Sequence, residues 1–185
     1  SLLEEDTGPA VRTVSTSGLI DRIAAAHGEP VVETAVGFKW VAEAMAEHDA
    51  LMGGEESGGY SVRGHVREKD GVLMALVAAA AATREVPDAR LDRLRETHGA
   101  FVADKVSLDC PDDEKERVLA AVEAAVPERV AGQEVDSVNP IDGVKLALAD
   151  GAWLLVRPSG TEPKMRIYAE ANSEAAVREV LEAGR

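Results

Sequence analysis

Only one cysteine, Cys110, occurs in 185 residues. An intrachain disulfide and a cysteine-based metal site are therefore excluded, and a reduced, cytoplasmic compartment is expected. Long apolar runs are absent too, so no membrane span is predicted. The opening "SLLEEDTGPA" has no basic stretch followed by an apolar one, so it is not a signal peptide. It also lacks an initiator Met and starts on what reads as a helix end, which points to a piece of a longer protein. Positive charge is scarce: 20 Lys and Arg stand against 34 Asp and Glu, for a net charge of −14. Nucleic acid and anionic membranes are poor partners for such a surface. Arg outnumbers Lys 14 to 6 and Ala is abundant. That bias resembles salt-adapted proteins, with an ordinary acidic bacterial protein as the alternative.

What is present is enough for one or two cores, since 45% of the residues are hydrophobic. No internal repeat is visible. In the first part strand and helix signals alternate. "VRTVST" (11–16) suits a strand, and Ser17 can cap a helix that runs to Ala26 and stops at Gly28. "PVVET" (30–34) is a second strand, "KWVAEAMAEH" (39–48) a second helix, and "ALMGG" (50–54) a short strand into a glycine-rich loop. "DGVLMALVAAAAATREV" reads as a buried core helix, and "ARLDRLRETHG" as another helix. Strands separated by such helices predict a three-layer α/β/α domain with a mixed, largely parallel sheet.

The pattern changes near residue 100. "AFVADKVSLD" is strand-like, and "PDDEKERVLAAVEAAV" is an amphipathic helix with acids at its positive end. Strands follow at 144–149, 152–157 and 164–171, the first two joined by the turn signal "ADG". Asn172 or Ser173 caps a last helix. The prediction is a smaller α+β domain with an antiparallel sheet and two helices. The boundary is expected between 99 and 111, giving domains 1–104 and 105–185.

Two loops carry candidate chemistry. In "LLVRPSGTEPKMRIYAEA" (154–171), Pro158, Gly160 and Pro163 fix a turn between two apolar strands. Around it, Arg157 offers a planar fork, Ser159 and Thr161 offer hydroxyls, and Gly160 bares the backbone N–H groups. A phosphate dianion needs that donor set; a hairpin with incidental polar residues is the competing reading. In "GGEESGGYSVRGHVREKDG" (53–71), Glu55 and Ser57 lie two apart, so an extended loop points both to one side. A carboxylate and a hydroxyl can together bind vicinal sugar hydroxyls. They could equally be metal ligands, although no EF-hand or zinc spacing is present, or simply a solvated turn. His65, Arg67 and Lys69 alternate, and would share a face if that piece is extended. A desolvated Lys69 could act as an acid or base; a surface cation is the alternative.

Taken together, the two loops resemble the α-D-phosphohexomutase superfamily (phosphoglucomutase/phosphomannomutase). "GEESG" (54–58) matches its sugar-specificity loop and "RPSGTEP" (157–163) its phosphate-binding loop, while "ETAVGFKW" (33–40) and "REKDG" (67–71) resemble the phosphoglucomutase branch. The resemblance covers nearly the whole chain, as domains three and four. It implies that Glu55 and Ser57 bind sugar hydroxyls, that Lys69 is a candidate general acid/base, and that Arg157, Ser159, Gly160 and Thr161 clamp the phosphate that is not transferred. Some relatives carry His at the position of Gly59 and Thr at that of Val36, so those side-chain roles are absent here.

The family's phosphoserine loop and its aspartate-rich Mg²⁺ loop have no match in this chain, so no metal ligand is expected in it. The resemblance thus implies a parent mutase interconverting hexose 1-phosphate and hexose 6-phosphate through hexose 1,6-bisphosphate, with Mg²⁺. Domains one and two would belong to the same protein, and this chain alone would be inactive. Closure of the last domain over the sugar phosphate would make residues 99–111 a hinge. Glucose leads as the hexose, then mannose, then hexosamine. A stand-alone phosphosugar-binding or regulatory module, and an acidic interaction domain without ligand, are the alternatives.

Overall fold

The computed structural model describes residues 6–185, so the helix end expected at the start of the chain lies largely outside them. The chain divides into two compact units between Gly99 and Ala100. A cut at 104/105 would fall inside a strand, β5 (Val102–Asp109).

The first unit is built around β1 (Ala10–Thr13). It runs parallel to β2 (Val31–Thr34) and β3 (Met52–Gly54), and β4 (Tyr60–Val62) returns antiparallel to β3. The order is β2-β1-β3-β4, a mixed and mostly parallel sheet. Alternation along β1 sends neighbouring side chains to opposite faces. Val11 packs with Phe38, Val41 and Ala44 of α2 (Phe38–Glu47). Arg12 points the other way, bonding Asp21 of α1 (Leu19–Ala26) through Nε at 2.5 Å and Glu33 of β2 through its Nη1. Helices thus cover both faces, as the alternating pattern predicts. The N-cap of α1 is Gly18 rather than the expected Ser17, which precedes it and accepts from the amide of Leu19 at 3.1 Å.

Two further expectations fail in this unit. Strand β3 falls within the short strand expected at 50–54, but β4 lies where the sequence reads as loop, because a three-residue strand is too short to show a period. The apolar helix α3 (Gly71–Arg84) forms, capped by Asp70, but buries no residue; Val72 is 74% exposed and Leu76 65%. Its composition demands a partner surface that the described chain does not supply. Helix α4 (Pro87–His98) follows, with Pro87 at its first turn as the ring's fixed φ prefers.

In the second unit six antiparallel strands lie in the order β5-β10-β9-β8-β7-β6. They are β5, β6 (Arg129–Val130), β7 (Gln133–Asn139), β8 (Val144–Leu148), β9 (Trp153–Pro158) and β10 (Lys164–Ala171). One face packs against both helices, α5 (Lys115–Ala124) and α6 (Glu174–Ala183). Leu146, Leu154, Val156 and Ile167 meet Val118 and Val122 of α5, and Val177 and Val180 of α6. Ser173 is the cap of α6, accepting from Ala176 N at 3.3 Å. The expected β8–β9 turn closes with Leu148 N donating to Ala152 O at 2.8 Å. Strands β6 and β7 were not expected: "QEVDSVN" is mostly exposed, so it lacks the apolar alternation that marks a half-buried strand. Their turn passes through Ala131 and Gly132, both at positive φ (48° and 81°), the twist that two-residue hairpins favour.

Candidate functional site

Strand β9 delivers Arg157 and β10 delivers Arg166, and the two are directly paired across the ladder. Like charges in that position repel, so each must be compensated. Arg157, 7% exposed, donates through Nε to Asp142 Oδ2 at 3.0 Å, while Arg166 bonds Glu162. The hydrogen bond from Arg166, then the charge of Lys164, hold the Glu162 carboxyl below its ordinary range. With Nε engaged, the Nη groups of Arg157 have no hydrogen-bond partner among the described residues and remain for another acceptor. Asp142 is brought up by Gly143, at φ 95°, where a Cβ would lie 2.7 Å from the Cβ of Arg157. Only a residue without a side chain passes there.

The turn itself closes with Ser159 N donating to Lys164 O at 2.8 Å. Ser159 is 3% exposed, and its hydroxyl has no hydrogen-bond partner. Buried polar atoms are rarely left so, and this one fits an acceptor supplied from outside. Gly160 and Thr161 are exposed, and their amides make no hydrogen bond among the described residues. A buried guanidinium, an unsatisfied buried hydroxyl and two open amides within five residues can receive a tetrahedral anion. The four phosphate candidates therefore fall in one turn. Asp142 and Gly143 escaped the sequence reading, because "DG" signals only a turn and nothing local shows that it returns to Arg157.

The glycine-rich loop departs from expectation. It is not extended at Glu55–Ser57: Gly58 N donates to Glu55 O at 3.0 Å, closing a turn with Ser57 exposed at its corner. Glu55 is 5% exposed, and its Oε1 accepts from Gly37 N at 2.9 Å. The carboxylate thereby ties the loop after β3 to the start of α2. The Glu56 amide donates to Thr16 Oγ1 at 3.0 Å, so the loop is also held from the β1 side. Residues 63–68 bend repeatedly, so His65, Arg67 and Lys69 do not share an extended face. His65 turns to Asp70, with Nε2 2.8 Å from Oδ2. The Lys69 ammonium lies 5.9 Å from the centroid of the Phe38 ring. Even so, Lys69 and Glu55 meet across Gly59: a Cβ there would stand 3.1 Å from Lys69 Cδ, 3.2 Å from Glu55 Oε2 and 3.2 Å from Phe38 Cδ2.

Among the described residues no group of three His, Cys, Asp or Glu could hold a metal ion, and no helix is long and apolar enough to cross a membrane. A cavity of about 440 Å³ in the second unit lies elsewhere, under α5 against Leu146, Leu154 and Val156, and is lined mostly by aliphatic groups.

Comparison with known proteins agrees with this fold. The family model for the phosphoglucomutase/phosphomannomutase alpha/beta/alpha domain III matches residues 1–98, and that for the phosphoglucomutase/phosphomannomutase C-terminal domain matches residues 106–184. A "Probable phosphoglucosamine mutase" of Methanothermobacter thermautotrophicus is 35% identical over 184 residues, covering 100% of this chain and 40% of that protein. A phosphoglucomutase/phosphomannomutase of Thermococcus kodakarensis is 36% identical over 185 residues, covering 99% and 38%. The crystal structure of a phosphoglucomutase/phosphomannomutase family protein from Burkholderia thailandensis shares the fold, with a TM-score of 0.79 at 20% identity, over 100% of this chain and 38% of that one. The chain thus spans about two fifths of the length of these relatives. By both family models it belongs to the phosphoglucomutase/phosphomannomutase family, of which it carries domain III and the C-terminal domain.

Proposed function

We propose that this chain is the C-terminal part of a mutase that interconverts hexose 1-phosphate and hexose 6-phosphate through a hexose bisphosphate. Its own task is to hold the substrate. The observation that carries this reading is the turn after β9, where buried Arg157 and the unsatisfied Ser159 hydroxyl flank the open amides of Gly160 and Thr161. These four residues seat the phosphate that is not transferred. In the first unit Glu55 accepts from sugar hydroxyls through Oε2, its Oε1 being held by Gly37. Ser57, exposed at the turn, is placed to donate. Lys69, beside Glu55, is the candidate acid/base.

Magnesium would act elsewhere in the whole protein, since the described residues offer no acidic cluster for it and none of these roles needs it. The exposed apolar surface of α3 supports the further reading that the parent protein has domains that precede this chain and cover it. Glucose and mannose phosphates are the substrates of first choice, and the relative named a probable phosphoglucosamine mutase supports hexosamine phosphate as the third.

The test is a titration of the chain with glucose 6-phosphate, followed by NMR. The whole site is not present, so binding is weak, with a Kd on the order of 1 mM, equivalent to about 4 kcal/mol. Arg157→Ala weakens it at least ~10-fold, since a charge-assisted pair is lost. Unchanged affinity in that variant would remove the anion seat and with it the proposal. Turnover of glucose 1-phosphate by the chain alone would overturn its role as a holding fragment.

A further inference from the structure

We propose that Lys115, which neither the family resemblance nor the loop sequence singles out, is a positioning residue for this seat. The inference rests on the reading of the turn as an anion site. Lys115 opens α5, yet its side chain ends beneath the turn 44 residues further on. The ammonium donates to Ser159 O at 2.7 Å and to Glu162 O at 2.6 Å, and it forms an ion pair with Asp112, whose Oδ1 lies 2.6 Å away. Two of its three N–H donors go to the turn, and the Asp112 carboxylate balances its charge. The side chain is only 13% exposed. Lys115 is thus committed to the turn.

What it does follows from peptide geometry. In a trans peptide the C=O of one residue and the N–H of the next point in opposite directions. Holding Ser159 O against the ammonium therefore aims the Gly160 N–H away from Lys115, toward the open side of the turn. The second bond pins Glu162 O, whose peptide partner is Pro163 and has no N–H to aim. It anchors the far end instead. Together the bonds keep two carbonyl dipoles turned away from an incoming anion. Gly160 is the residue least able to resist a peptide flip, so an external tie is needed where it sits.

The experiment titrates the 185-residue chain with inorganic phosphate, following the Gly160 and Thr161 amides by ¹⁵N NMR. Lys115→Met weakens phosphate binding about tenfold and shifts the Gly160 amide before ligand is added. Lys115→Gln keeps N–H donors without the charge, so it recovers part of the affinity. If Lys115→Gln binds as poorly as Lys115→Met, and added salt erases their difference from the unaltered chain, the lysine acts only through its charge and the positioning role fails. If Lys115→Met binds phosphate normally while Arg157→Ala does not, the seat stands and Lys115 has no part in it. If neither variant changes binding, the seat itself is lost. The unaltered chain gives an independent reading: a Lys115 ammonium held by two fixed carbonyls and a carboxylate exchanges its protons slowly enough to be seen by NMR, and keeps its shift when phosphate binds. A rapidly exchanging Lys115 ammonium overturns the proposal without any variant.

Discussion

At the scale of single residues, both candidate loops depend on side chains that are absent. Gly143 lets Asp142 reach Arg157, and Gly59 leaves the space in which Glu55, Lys69 and Phe38 meet. At Gly59 a methyl group would press on three neighbours at 3.1–3.2 Å, each of which must yield by a few tenths of an ångström. Gly59→Ala is expected to cost about 1 kcal/mol, in the range of mild overpacking. It should also move the Phe38 ring signals and the Lys69 side-chain shifts. Thermal unfolding and NMR of the variant check this; unchanged Lys69 and Phe38 signals would mean that the three groups do not meet there. None of this was legible beforehand. The sequence places Glu55 and Lys69 14 residues apart, and the bends between them set their approach.

Among elements, α3 depends most on a local device. Asp70 caps it, accepting from Leu73 N at 2.9 Å and Val72 N at 3.0 Å, with His65 Nε2 2.8 Å away. The amide of Leu73, then the bond to His65, hold the Asp70 carboxyl below its ordinary value. A carboxylate with a depressed folded pKa stabilises above its unfolded pKa, and that contribution fades as pH falls through the depressed value. The first turn of α3 should therefore fray in acid, with the transition below the usual carboxylate range. Asp70→Ala should show the frayed turn already at neutral pH, with no further acid step at residues 71–74. Backbone shifts followed through an acid titration decide it, and a cap that persists in Asp70→Ala refutes it.

Most elements were readable from their own residues, and the sixfold sheet shows where reading stops. Strands β8, β9 and β10 are buried on both faces along most of their length, and their near-continuous apolar runs announce it in sequence. Strand β7 is solvated along most of its length, and so reads as a loop. Helix α3 fails in the other direction: its composition was read correctly as apolar and its burial was not.

At the scale of the molecule the dominant feature is charge. A net −14 over 185 residues leaves the folded chain repelling itself, and salt screens that repulsion within about 10 Å at 0.1 M. The unfolding midpoint is expected to climb from dilute to molar sodium chloride. A flat or falling response in thermal melts would reject the salt-adapted reading of the composition. The same acidity is compensated locally around the proposed anion seat. Arg157, Lys164 and Arg166 cluster around one turn, balanced by Asp142 and Glu162.

The sequence alone determined what depends on neighbours along the chain. Strand and helix periods, the cap at Ser173, the turn at 149–151 and the donor types at 157–161 all follow from dihedral preferences and side-chain chemistry within a few residues. Tertiary structure alone decided what depends on neighbours in space. It put Gly37 on Glu55, Asp142 on Arg157 and Lys115 under Ser159, and it left α3 uncovered. Those outcomes turn on strand register, helix placement and the total surface available for burial. No local stretch of residues contains that information.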